Sequence, residues 1–94
     1  MSGRRKDRLN SLLKEVIADV IRNRVRNPDV HPLVTVSKVD VSKDIKYAKI
    51  YISVIASEEE KQKTLNALNS GSGFIAVQAS KQVVLRFFPS LTFY

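Results

Sequence analysis

The chain has no cysteine, one histidine, three glycines and three prolines in 94 residues. Without cysteine there are no disulfides and no thiolate metal sites, and nothing requires an oxidising compartment. The longest apolar runs are a few residues, too short to cross a bilayer as a helix. The basic N-terminus is not followed by the apolar stretch of a signal peptide. A cytoplasmic location and no membrane partner are therefore expected. Groups for catalysis are also scarce. His31 sits in a loop between Val30 and Pro32, where a lone histidine reads as an incidental surface residue and not as a general base. Glu58, Glu59 and Glu60 are adjacent at a helix start, so they splay around the axis and make no paired-carboxylate site. Asp40 and Asp44 flank a turn and read as turn residues. No Gly-rich loop of the nucleotide-binding kind is present. No catalytic residue, metal or cofactor is expected, and a small nuclease is a remote reading.

Positive charge is plentiful. The formal net charge is +7, and the first 26 residues hold eight Lys or Arg against Asp7, Glu15 and Asp19. Five of the seven net charges thus lie in about a quarter of the chain. Such a distribution attracts polyanions. It reads either as a solvated helix face or as a phosphate-binding surface. The candidate phosphate contacts are Arg4, Arg5, Lys6 and Arg8, with Arg22, Arg24 and Arg26 as a second cluster further along.

Composition (44% hydrophobic, 27% charged) and length are those of one folded domain over residues 1–94. A domain of this size buries only about 60–65% of the surface its unfolded chain exposes, so it cannot enclose a deep cleft cheaply. Residues 8–26 are predicted as an amphipathic helix. Leu9, Leu12, Leu13, Val16, Ile17, Val20, Ile21 and Val25 recur at three- and four-residue spacing, and Asn27-Pro28 stops the pattern. Residues 33–41 read as a strand whose alternation slips near Lys38, which predicts a bulge. After a turn at Ser42-Lys43-Asp44, residues 46–55 alternate, with Ala48, Ile50, Ile52 and Val54 facing one way and Tyr47, Lys49, Tyr51 and Ser53 the other. The short connection predicts an antiparallel hairpin. Ser57 and Glu60 form a capping-box signature for a helix running to about Asn69. Ser70-Gly71-Ser72-Gly73 interrupts it, and a further helix is predicted from Phe74 to Phe87, with Ile75, Ala79, Val83 and Phe87 on one face. Pro89 ends that helix, and Ser90–Tyr94 reads as a last strand. The expected class is α+β, in the order α-β-β-α-(kink)-α-β. Three strands need all the helices on one face, which leaves the other face wet.

The break at Ser70, Gly71, Ser72 and Gly73 is the most informative short feature. Two glycines allow a nucleic-acid backbone to approach closely, and the following helix offers unpaired N–H groups at its start. A plain helix-ending glycine is the competing reading. Lys81 and Arg86 are predicted on the following helix, near the kink. Tyr47 and Tyr51 could stack bases, or simply pack on their cross-strand neighbours.

The run Leu33–Asp44 followed by Tyr47–Ile52, the Arg-rich start of the first helix, and the ending Leu85-Arg86-Phe87-Phe88-Pro89-Ser90-Leu91-Thr92-Phe93 resemble the ribosome-binding factor A family. The resemblance covers nearly the whole chain. It implies a type II KH-like fold in which an Ala-x-Gly kink replaces the usual GxxG loop. Here Gly71 stands in place of the alanine, and Ala76 stands where the family often has an arginine. Family members usually continue into a tail beyond the position of Tyr94, so a short or absent tail is expected. The resemblance also implies binding to the immature small ribosomal subunit and its rRNA, support of late rRNA maturation at the 5′ end, and a role in the cold. A monomer is expected. A GTPase release factor is left open as a second partner. The rival reading is a KH-like adaptor whose basic face docks on an acidic protein.

Overall fold

A computed structural model describes the backbone of residues 2–94 and the side chains of residues 5–94. The elements run α1 (Ser2–Asn23), β1 (Thr35–Val41), β2 (Tyr47–Ser53), α2 (Glu58–Ser70), α3 (Ser72–Ser80) and β3 (Ser90–Phe93). This is the expected α-β-β-α-(kink)-α-β order. The first helix starts six residues before the predicted boundary, because Arg5, Lys6 and Arg8 are good helix formers and carry it toward the N-terminus. It ends three residues early. The N–H groups of Arg24 and Val25 both reach the Val20 carbonyl, at 2.8 and 3.2 Å, so the ladder runs out there.

The sheet order is β1-β2-β3. β1 and β2 form the expected antiparallel hairpin, and the register shifts between Val36 and Lys38, where the slipped alternation predicted a bulge. Ser37 fills the irregularity by donating its hydroxyl to the Tyr51 carbonyl at 3.1 Å. β3 lies parallel to β2, with Tyr47 opposite Ser90 and Ile50 opposite Phe93. Parallel neighbours need a long crossover, which α2 and α3 supply. The hairpin turn is held by Asp44. Its carboxylate accepts from the Ser42 hydroxyl at 2.7 Å and from the Lys46 N–H at 3.2 Å. These bonds hold its pKa below the ordinary 3.8, the Ser42 bond contributing most. Ile45 follows with a φ of 59°, in the left-handed region that a β-branched side chain disfavours.

One face of the sheet is buried under the helices. Leu13, Ile17 and Val20 of α1 meet Val39, Val41 and Ile50 from the sheet, with Leu68 of α2 and Ile75 and Ala79 of α3. Each fully buried Leu, Ile or Phe contributes about 1.5–3 kcal/mol. The chain's ending explains itself here. Pro89, Leu91 and Phe93 alternate inward, while Ser90, Thr92 and Tyr94 face out. Both edges of the sheet are tied to helices. Asn10 accepts from the Val41 N–H at 3.0 Å. The Asn69 amide accepts from the Phe93 N–H at 2.8 Å and donates to the Phe93 carbonyl at 3.0 Å. These bonds occupy backbone groups that would otherwise invite another strand.

Two expectations are corrected. The third helix ends at Ser80 and not at Phe87; the Gln82 N–H turns back to the Ala79 carbonyl at 3.0 Å, and residues 81–89 are turns and bends. The β-branched pair Val83-Val84 favours helix weakly, and Pro89 pushes Phe88 toward extended backbone. Phe87 is consequently 76% exposed, and Phe88 packs on the core in its stead. His31 is no incidental surface residue. Its side chain is 19% exposed, its Nδ1 accepts from the Leu33 N–H at 3.1 Å, and its Nε2 lies 3.4 Å from Glu60. The histidine fixes the loop to α2. Ser57 caps that helix as predicted, accepting from the Glu60 N–H at 3.2 Å.

Candidate nucleic-acid interface

The kink between α2 and α3 is a single residue, Gly71, with φ −95° and ψ 12°. Its N–H returns to the Ala67 carbonyl at 3.0 Å, and its own carbonyl accepts from the Ile75 N–H at 3.0 Å. No side chain caps the start of α3, and the first amides of a helix have no partner within the helix itself. Neither glycine has the positive φ that only glycine takes easily. Their value is the absence of a side chain. A Cβ at Gly73 would meet nothing within 4 Å, so at that point the backbone lies open to close approach. Ser70 and Gly73 are exposed, and Gly71 and Ser72 are half-buried.

The packing of α1 against α3 brings the end of the first helix to this kink. Arg24, Arg26 and Asn27 face Ser70, Gly71 and Phe74 across a groove of about 420 Å³, floored by Val25, Ala67 and Ile75. No carboxylate lines it. Arg24 and Arg26 lie just past the helix end and are exposed. In the sequence the kink and the arginine cluster stand as separate features; the fold joins two of the three arginines to the kink. Phe74, 51% exposed, adds an aromatic ring that sequence reasoning missed as a site residue. Its signal was a large aromatic immediately after a glycine-rich break.

The other candidates fall elsewhere. Arg22 lines a different hollow, between α1 and the loop that carries His31. Lys81 caps the far end of α3, about 15 Å along the axis from the kink. Arg86 is not on a helix. Its guanidinium lies 5.6 Å from the Phe87 ring, in a hollow shared with Ile45 and Lys46 at the hairpin tip. Arg5 and Arg8 are exposed near the start of α1, while Lys6 pairs with Asp40 at 3.2 Å. The Arg4 side chain lies outside the described residues. About 28 Å of helix separates Arg5 from Arg24.

The arrangement is suited to binding. Among the described residues no group of His, Asp or Glu side chains could hold a metal ion, and no helix is long and apolar enough to cross a membrane. What it offers a ligand is two arginines, backbone amides and one ring, a combination suited to a phosphate backbone with an adjacent base.

The ribosome-binding factor A family model matches residues 5–94. A ribosome-binding factor A of Protochlamydia amoebophila is 60% identical over 93 residues, which cover 99% of this chain and 71% of that protein. One of Chlamydia pneumoniae is 48% identical over 93 residues, covering 98% and 78%. Among solved structures, the crystal structure of ribosome-binding factor A from Thermus thermophilus superposes with a TM-score of 0.83 at 28% identity, covering 95% of this chain and 92% of that one. A Thermus thermophilus ribosome binding factor A homology model, fitted into a cryo-EM map of a 30S complex, gives 0.72 at 26% identity, covering 89% and 87%. With a family match across almost its full length, and relatives of high identity behind it, the chain belongs to the ribosome-binding factor A family.

Proposed function

We propose that this chain is a non-catalytic assembly factor that binds the immature small ribosomal subunit through its rRNA. The groove of Arg24, Arg26, Ser70, Gly71 and Phe74 carries the reading, because it pairs cations with backbone amides and contains no acid. Arginine contacts to phosphate position the RNA, and the shape of the rRNA supplies the selectivity. The neighbour fitted into a 30S complex supports the choice of particle. Arg5 and Arg8 extend the contact at the other end of α1, and Lys81 and Arg86 contribute at a third position. By holding one rRNA conformation more tightly than another, the protein supports late maturation of the small-subunit rRNA at its 5′ end. The need is greatest in the cold, where misfolded RNA escapes slowly. It acts in the cytoplasm as a monomer, and a GTPase that displaces it from the maturing particle would complete the cycle.

The experiment is cosedimentation with small subunits in a sucrose gradient. The wild-type chain is expected with free small subunits and absent from polysomes, and R24A/R26A is expected near the top of the gradient. Ribonuclease treatment of a lysate before pull-down separates RNA from an acidic protein partner. Capture that survives full digestion of the RNA would sink the proposal.

A further inference from the structure

The uncovered face of the sheet has a chemistry of its own. All three tyrosines of the chain, Tyr47, Tyr51 and Tyr94, stand on it. Tyr51 and Tyr94 are stacked, with ring centroids 5.5 Å apart and planes inclined by 28°. The Lys38 ammonium lies 5.7 Å from the centre of the Tyr51 ring. Tyr94 nonetheless remains 50% exposed and Tyr47 64% exposed, so cross-strand packing does not use up their rings. Lys49 sits between Tyr47 and Tyr51 on β2, opposite Thr92 of β3 and Asp40 of β1, with which it makes no ion pair. The other outward residues, Thr35, Ser37, Ser53, Ser90 and Thr92, are small and polar. The one acid on this face among the described residues is Asp40, and Lys6 reaches over the sheet edge to pair with it.

We infer that this face is a second RNA-binding surface, which stacks unpaired bases on Tyr94 and Tyr47 and holds their phosphates with Lys49 and Lys38. The inference rests on the reading that the chain binds rRNA, and it uses a surface remote from the Gly71 groove. Three observations favour single-stranded RNA over other occupants. The Tyr51 and Tyr94 rings are fixed by a stack and a cation, so ordering them costs little on binding. The free charge on the face is positive. The remaining surface carries small polar side chains, which suits bases laid on rings better than an apolar segment. Tyr47 and Tyr51 are four residues apart on one strand, about 13 Å. That spacing accommodates a short run of bases, as on other RNA-binding sheets.

The chain has no tryptophan, so its tyrosine emission reports on this face alone. Titration with a short unstructured oligoadenylate at low salt is expected to quench that emission saturably. Y94A and Y47A are each expected to weaken the oligonucleotide about tenfold, and Y94F to bind as wild type does. Exposed tyrosine positions tolerate replacement, and unfolding midpoints close to wild type verify it. Quenching that persists in R24A/R26A supports the inference independently of the groove. Absence of quenching, or wild-type affinity in both Y94A and Y47A, overturns it while leaving the groove to its own test. Photocrosslinking in the particle that joins Tyr94 to a ribosomal protein and not to a nucleotide overturns it as well.

Discussion

Thr64 is the buried polar residue of the core, fully shielded from solvent within a run that reads as wholly polar, Lys61-Gln62-Lys63-Thr64. Its hydroxyl accepts from the His31 N–H at 3.0 Å and donates to the Asp29 carbonyl at 3.2 Å. One side chain thus satisfies two backbone groups of the loop that follows Arg26. Nothing local in the sequence marks it, because its partners lie more than thirty positions away. Thr64→Val keeps the shape and leaves both groups without their partner, so it is expected to cost about 1–3 kcal/mol. Thr64→Ser keeps both bonds and removes a methyl, at about 1 kcal/mol. Urea midpoints at constant slope check the pair, and equal costs would refute the hydrogen-bond account. Ile45 presents the opposite case, a residue the fold tolerates at a cost. A side chain in the left-handed region costs about 1–2 kcal/mol, and asparagine tolerates that region best. Ile45 is 38% exposed, so replacing it also gives up some apolar burial. Ile45→Asn is expected to stabilise the protein by about 0.5–1 kcal/mol in thermal unfolding, the relief of strain exceeding the burial given up. The neighbouring Asp44 adds a pH dependence. Its lowered pKa means its contribution is present above about pH 4 and fades as pH falls through the lowered value.

Among the elements, the kink joins stability to function. Gly73 lies in the first turn of α3 with no neighbour near its missing Cβ. Gly73→Ala is therefore expected to raise stability by about 0.5–1 kcal/mol, the ordinary helix gain of alanine over glycine. If rRNA approaches that backbone closely, the same methyl obstructs it and subunit binding weakens. Calorimetry and cosedimentation on one variant measure both effects, and a stabilised variant with unaltered binding would remove Gly73 from the interface. Most of the elements were legible because their signals are local. The capping box at Ser57, the period-two alternation from Tyr47 to Ser53 and the slip near Lys38 each depend on neighbouring residues. The end of α3 was not legible. Ile75, Ala79, Val83 and Phe87 keep a four-residue spacing well past the point where the helix stops. Tertiary geometry overrides that spacing. Ser90 must pair beside Tyr47 at the start of β2, and Pro89 and Leu91 must turn inward, so the chain needs an extended return and not another two turns of helix. The candidate site divides on the same line. Its arginines and glycines were visible as types, whereas the meeting of Arg24 and Arg26 with Ser70 and Gly71 depends on helix packing across more than forty residues of sequence.

For the molecule as a whole, the question is whether the basic clusters act as one surface or as several. The protein is 41 Å along its longest axis, and about 28 Å of helix separates Arg5 from Arg24. At physiological ionic strength, charges are screened beyond about 8 Å. On the proposed reading, the two ends of α1 would therefore meet different phosphates without reinforcing one another through solvent. Each phosphate contact steepens the fall of log K with log salt by about 0.7–0.9, whichever end supplies it. R24A/R26A is thus expected to flatten the slope by about 1.4–1.8, and R5A/R8A by a similar amount. The quadruple variant should flatten it by the sum of the two. Lys6 enters differently, since Asp40 already neutralises it in part. K6A should change the slope less than removal of either neighbouring arginine, and D40N, which frees the ammonium, should steepen it and tighten binding at low salt. Salt titrations of small-subunit binding across these variants separate the alternatives. If R24A/R26A alone removed the whole salt dependence, the groove would be the only electrostatic contact and the far end of α1 merely a solvated helix face. Additive slopes would mean that the chain spans the rRNA along the length of its first helix, gripping it at both ends.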